Sequence, residues 1–198
     1  MRNVSSWVRP VAWAWLLLGA SAACRGALAQ TRFGLGYVAN SPHMLAGGNG
    51  YILLPSASGI GVYVDAKFDT GSPTRQSNYL SDVNAQQVEN QFGDQYFDSD
   101  DSWRSVNVAL MKQLKSSLTV YAGAGRARKS KYNEYLDATA TRGTFGHYWV
   151  EDEAGSTTQL NVLTGVFFRM SRFLNAQFGV ETAPAGLTVG LSLALPRQ

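Results

Sequence analysis

The segment GIGVYVDAKFDTG, residues 59–71, places Ile60, Val62, Val64, Ala66 and Phe68 on one parity and Gly61, Tyr63, Asp65, Lys67 and Asp69 on the other. A period of two is the signature of a β-strand with one apolar and one polar face. The same period recurs along the chain. FGLGYVAN (33–40) alternates Phe33, Leu35 and Tyr37 with glycine, and GGNGYILL (47–54) is a weaker strand that stops at Pro55. SWRSVNVALMKQ (102–113) sets Val106, Val108 and Leu110 against Ser105, Asn107 and Ala109. SLTVYAGAGRA (117–127) has Leu118, Val120, Ala122 and Ala124 on one face, and QLNVLTGVFFRM (159–170) is apolar on both. FLNAQFGVE (173–181) and LTVGLSLAL (187–195) alternate cleanly again. Eight such segments and no helical periodicity predict an all-β chain.

Alternation alone does not say which face meets solvent. In a soluble sheet the apolar face looks inward; in an outer-membrane barrel it meets lipid and the polar face lines the interior. The first 29 residues favour export. Arg2 and Arg9 precede the apolar run VAWAWLLLGASAA, and Ala27-Leu28-Ala29 stands before Gln30. That is the layout of a cleaved secretory signal peptide, and the run is too short for the ~20 residues of a spanning helix. Three of the 17 basic residues and none of the 14 acidic ones fall in this segment, which leaves 14 of each sign in the exported part. The basic pI therefore belongs to the leader, and no nucleic-acid footprint remains. The only cysteine, Cys24, also lies in the leader, so the exported chain builds no disulfide. Residues 30–198 are read as a single domain.

The connections give an independent test. Those at PSAS (55–58), LKSS (114–117) and around Ser171-Arg172 are short, whereas the long ones, 70–101 and 128–158, fall on the opposite side of an up-and-down sheet. Short turns on one side and long loops on the other is the arrangement of outer-membrane barrels. In this layout of leader, eight alternating segments, short inner turns and long outer loops, the chain resembles the small eight-stranded outer-membrane β-barrel proteins over residues 33–195. It departs from them in its last residues, LSLALPRQ, which lack a terminal aromatic. The resemblance implies an eight-stranded antiparallel up-and-down β-barrel spanning the outer membrane of a Gram-negative-type bacterium, monomeric, with outer-membrane lipid as its surroundings.

A barrel of eight strands is just wide enough for side chains to fill. By parity, Tyr63, Asp65, Lys67, Arg169, Asn175, Gln177 and Glu181 point inside and should form a packed, paired polar network. Arg104 and Arg126 fall on the lipid-facing parity next to the outer loops, where lipopolysaccharide phosphates lie, and arginine pairs well with phosphate. Asp98, Asp100 and Asp101 in FDSDDS are a weak calcium candidate without the glycine and distal glutamate of an EF-hand; the expectation is no metal, and no cofactor. His147 lies near Glu151 and Ser156 in sequence, the residue types of a lipid-modifying hydrolase or acyltransferase. Nearness in sequence does not put a nucleophile within reach of its base, and GHYWV reads more simply as an aromatic loop base or a short strand extending the barrel outward. GLGYVA (34–39) imitates a dinucleotide-binding pattern but lies inside a strand. The function classes that remain are a non-enzymatic outer-membrane barrel with loops for interaction, a soluble periplasmic lipocalin-like barrel holding a small apolar ligand, and a lipid-modifying enzyme.

Overall fold

The computed structural model describes residues 31–54 and 59–195. The leader with Cys24, the PSAS turn and the last three residues lie outside them. Eight strands close into a ring: β1 (Arg32–Ser41), β2 (Leu45–Leu53), β3 (Ile60–Asp69), β5 (Gln95–Lys115), β6 (Leu118–Leu136), β7 (His147–Arg169), β8 (Leu174–Thr182) and β9 (Ala185–Ala194), with β9 returning to β1. Every pairing in the ring is antiparallel. The ninth strand, β4 (Tyr79–Asn84), stands outside the ring and pairs in parallel with β7. GLGYVA is part of β1.

The registers carry the alternation round the wall. Asn49, Asp65, Asn107, Gly125 and Asn161 lie in one row across five strands, all on the inward parity. One residue along, Val64, Val108, Ala124 and Val162 form the matching outward row. A one-residue slip would exchange the two rows and bury the valines beside carboxylates, so the pattern itself fixes the register. The outward parity leaves Leu35, Val64, Val108, Leu160 and Leu193 between 46% and 69% exposed, in an apolar belt that runs round the wall. The inward parity buries Asp65, Lys67, Asn107, Asn161, Gln177 and Glu181.

The segments expected as long loops at 70–101 and 128–158 are in large part strand. β5, β6 and β7 have 21, 19 and 23 residues, about twice the length of β1 or β8. Above the barrel mouth they continue as a projecting sheet, roughly 30 Å long at ~3.3 Å per residue. β4 covers the β7 edge of this sheet, and β5 beyond Arg104 pairs with β6 alone among the described strands. Both faces are covered. On one, Tyr79 meets the buried Tyr132 edge-on, with ring centroids 5.8 Å apart. Tyr135 has the opposite parity, so it lies on the other face, where it clusters with Tyr148 and Val150 beneath Ala85 and Val88 of the helical segment Ala85–Phe92. Asn84 caps that segment reciprocally with Gln87.

Two carboxylates tie the outer connections into one unit. Asp94 accepts hydrogen bonds from Arg142 and from the Tyr148 hydroxyl, while the Arg142 guanidinium lies 3.9 Å from the Phe92 ring centroid. Burial, and then the hydrogen bond to Asp94, push the Tyr148 hydroxyl up from its ordinary pKa. Asp137 accepts from the hydroxyls of Thr139 and Thr141 and from the amides of Thr139, Thr141 and Arg142, at 2.6–3.1 Å. These donors, the two hydroxyls first, hold its carboxyl well below the usual range.

Because the folded-state value is depressed, the ordering that Asp137 supplies is complete above the ordinary carboxylate range and disappears only as pH falls through the depressed value. The loop 137–146 should therefore stay protected at pH 4, where an ordinary aspartate is about half protonated. Asp137→Ala should open it to protease at neutral pH, with Asp137→Asn intermediate. Limited proteolysis of the folded protein across pH checks both, and equal resistance of wild type and Asp137→Ala would refute the role.

Candidate functional site

The upper half of the lumen is one connected polar network. Lys67 Nζ lies 2.9 Å from Asp65 Oδ1 and 3.1 Å from Glu181 Oε2, with all three side chains at 1% exposure or less. The two carboxylates outnumber the one ammonium, and neutral donors make up the difference. Asp65 also accepts from Tyr63 Oη (2.8 Å) and Asn107 Nδ2 (2.7 Å). Glu181 accepts from Asn161 Nδ2 (2.8 Å) and from Asn40. Hydrogen bonds to a charged group are worth about 1.5–3 kcal/mol each, which is the scale needed to hold an extra buried carboxylate. Gln177 Nε2 donates to Tyr63 and Tyr121, and its Oε1 accepts from Asn49, whose Oδ1 accepts from Ser192. Asn161 Oδ1 accepts the amides of Thr182 and Ala183, fixing the β8–β9 turn to the lumen.

Below this layer the lumen is aromatic. Tyr51, Tyr63, Tyr121 and Phe167 meet with centroids 4.9–5.6 Å apart. Asn175 Nδ2 donates to Tyr51 Oη at 2.8 Å in a separate pair. Inward-facing glycines make room for these rings: a Cβ on Gly179 would stand 2.3 Å from Tyr121 Oη, and one on Gly34 would stand 2.2 Å from the Tyr51 ring.

Of the seven residues read as lumenal from sequence, Tyr63, Asp65, Lys67, Gln177 and Glu181 meet in the network, and Asn175 lies below it with Tyr51. Arg169 does not join them. It has the inward parity but sits past Phe167 at the end of β7, half-buried. Sequence reading missed Asn40, Asn49, Asn107, Asn161, Tyr51 and Tyr121, although each has the inward parity of its strand. The lipocalin-like expectation of an apolar lumen does not fit this interior, whose buried middle is charged and amide-rich.

Outside the lumen, Asp98 and Asp100 lie along β5 and accept the amides of Ser99 and Asp101, while Asp101 pairs with Lys129. Among the described residues no three His, Cys, Asp or Glu groups converge as a metal site requires. His147 Nδ1 lies 3.2 Å from Glu134, and Phe97 stacks edge-on against its ring. Ser156 instead bonds Glu151 and the Asp152 carbonyl. His147 and Glu151 are four positions apart on one strand, roughly 13 Å, so the three do not form a catalytic group. Arg104 and Arg126 are on the outward face of β5 and β6, Arg104 opposite Arg128 and Arg126 opposite Val106.

No protein-family profile matches the sequence, and no curated protein does. Solved structures do. The attachment invasion locus protein Ail of Yersinia pestis is similar at 13% identity and a TM-score of 0.43, over 83% of this chain and 93% of that one. The N-terminal β-barrel domain of Pseudomonas aeruginosa OprF is similar at 10% identity and a TM-score of 0.42, over 84% and 98%. Neisserial surface protein A gives 11% identity and a TM-score of 0.30, over 82% and 94%. With scores this low, the assignment of fold rests on the closed ring and its registers.

Removing the ammonium strands two buried carboxylates, and breaking a buried ion pair costs about 3–5 kcal/mol. Lys67→Met should lose stability of that order, and Lys67→Met with Glu181→Gln should recover part of it. Urea titration of the folded barrel measures both, and additive losses would mean that the charges are not coupled. Gly179→Ala should cost about 1–3 kcal/mol through overpacking, whereas Gly48→Ala, with the nearest atom 3.8 Å from its Cβ, should be close to neutral. Equal effects of the two would contradict the fit of Tyr121 against β8.

Proposed function

We propose that the chain is a non-enzymatic protein of the bacterial outer membrane, whose barrel is an anchor with a packed lumen and whose projecting β5–β6–β7 sheet is the surface offered for interaction. The observation that carries this reading is the inverted polarity of the wall. A ring of Leu, Val, Ile and Phe side chains faces outward round the barrel, while ion pairs and amides fill the inside. Soluble monomers rarely expose a contiguous apolar patch beyond a few hundred Å². Hydrocarbon requires a closed ladder with no unpaired backbone edge, and the ring supplies it. The projecting sheet, by contrast, carries ion pairs Arg128–Glu151, Lys129–Asp101 and Lys131–Asp152 on partly exposed side chains, as suits a segment in water. Filling the lumen with paired groups makes it a plug and not a route for solutes, so interaction falls to the outer sheet. The protein is taken as a monomer, without cofactor.

Val108 separates this reading from a soluble barrel. It lies in the middle outward row and is 53% exposed. In water, arginine there would cost almost nothing. At the lipid midplane it costs about 2–4 kcal/mol. Val108→Arg should therefore destabilise the protein by that amount in lipid-vesicle unfolding, and the wild type should fractionate with outer membrane and run anomalously on gels until heated. A soluble wild type, or a cost-free Val108→Arg, would overturn the proposal.

A further inference from the structure

The mouth of the barrel away from the projecting sheet holds cations without a counter-charge. Arg32 opens β1 on the inward parity of Gly34, and Arg169 ends β7 on the inward parity of Phe167. The registers put the two at one level. The row of paired residues that leaves β1 at Arg32 climbs round the ring through Gly165 and returns to β1 at Asn40, eight residues higher. It therefore rises one residue per strand. Gly165, five strands along, is five residues up, and Arg169, four residues further down β7, lies one residue above Arg32. β1 and β7 are three strands apart the other way round the ring of eight, so the two side chains face each other across the mouth. All 14 Asp and Glu residues stand higher, and the lowest, Asp65, is separated from the mouth by the layer of Tyr51, Tyr63, Tyr121 and Phe167. Arg32 Nη1 is enclosed by protein with no hydrogen-bond partner, and among the described residues no carboxylate pairs with either guanidinium. Gln113 and Asn175, inward at the same level, are neutral and already donate to the Lys115 carbonyl and to Tyr51. Arg172 in the adjoining turn adds charge of the same sign.

Like charges across a narrow mouth repel, and a buried charge is stable only when paired. The partner these two arginines lack is an anion. The closed wall keeps acyl chains out of the lumen and the aromatic layer seals it above, so the anion enters from the solution beneath. A carboxylate presents its two oxygens along one edge and engages a single guanidinium fork. A phosphate is tetrahedral, presents oxygen pairs on opposite sides, and so serves two opposed forks at once. We infer that this mouth binds a soluble phosphate, as the inorganic ion or the terminal group of a phosphate monoester, held between Arg32 and Arg169. The site goes beyond the function proposed above and does not depend on it, since it needs only the closed ring.

The test is calorimetric titration of the full folded chain, in non-ionic maltoside micelles free of phosphate, with inorganic phosphate, glycerol 3-phosphate and acetate. Wild type should bind both phosphates, and acetate at least tenfold more weakly. R32Q and R169Q should each weaken phosphate at least tenfold, and R32K, which keeps the charge but not the fork, should fall between R32Q and wild type. R172Q, at the same end but outside the lumen, should stay within twofold of wild type. Phosphatidylglycerol added to the micelles should not displace phosphate. Absence of binding, or binding indifferent to R32Q and R169Q, would overturn the site. An equal loss in R172Q would reduce it to a diffuse basic rim, equal affinity for acetate would overturn the phosphate assignment, and displacement by phosphatidylglycerol would overturn the soluble source. Urea unfolding keeps the test independent of how well the variants fold. Without phosphate, R32Q should be at least as resistant as wild type, because it removes an unpaired cation, and phosphate should raise the midpoint of wild type but not of R32Q. A wild type more resistant than R32Q without phosphate, and unmoved by adding it, would mean that Arg32 is satisfied within the fold and would overturn the inference.

Discussion

Lys67 holds the barrel together across its width. β3, which carries it, and β8, which carries Glu181, stand four strands apart in a ring of eight and so face each other through the lumen. Asp65 on β3 and Asn107 on β5 close one side of the contact, and Asn40 on β1 and Asn161 on β7 close the other. Five of the eight ring strands thus meet at one ammonium and two carboxylates. All three ionised side chains are at 1% exposure or less, so each member is required by the others. The aromatic layer beneath adds non-directional contact, but the polar layer sets which strands stand opposite which.

This arrangement divides the labour of the chain. In the barrel half the inward residues satisfy one another and the outward residues form a largely apolar wall. β5, β6 and β7 continue upward because their ladder continues: β6 stays paired on both sides to Leu136, and covering both faces of the extension buries Tyr132, Tyr135 and Tyr148. The Asp94 and Asp137 hubs then bind the two outer connections together, so the projection is an ordered extension of the wall and not a set of loose loops.

The barrel was legible in the sequence and the projection largely was not, for a physical reason. In the wall, one face is apolar and the other polar, and most of the strands alternate with a period of two. In QYFDSDD, RKSKYNEYL and HYWVEDEAGSTT both faces meet water, ion pairs or small covering segments, so the alternation fades. Register irregularities at Tyr96/Asp98 and Lys129/Lys131 also shift the parity midway. Only GHYWV, with its aromatics, read as strand at all. Inside the barrel, Asp65, Lys67 and Glu181 were legible because charge marks parity. Asn107 and Asn161 carry the same parity without a charge, and QLNVLTGVFFRM, apolar on both faces, gave no contrast against which Asn161 could stand out. Arg169 had the right parity but the wrong height, and height along a strand is set by the stagger of the ring, which no single segment encodes.

The projecting sheet has one closed edge and one open one. β4 seals the β7 side, and on the β5 side the amides of Ser99 and Asp101 donate to the carboxylates of their own neighbours, Asp98 and Asp100. Any foreign strand that adds itself to this edge must first displace two anions and then lie beside them. Carboxylates along an exposed edge oppose its pairing with a like-charged strand, a second copy of this same edge included. The acidic run therefore works as a guard against sheet-to-sheet aggregation on a crowded surface.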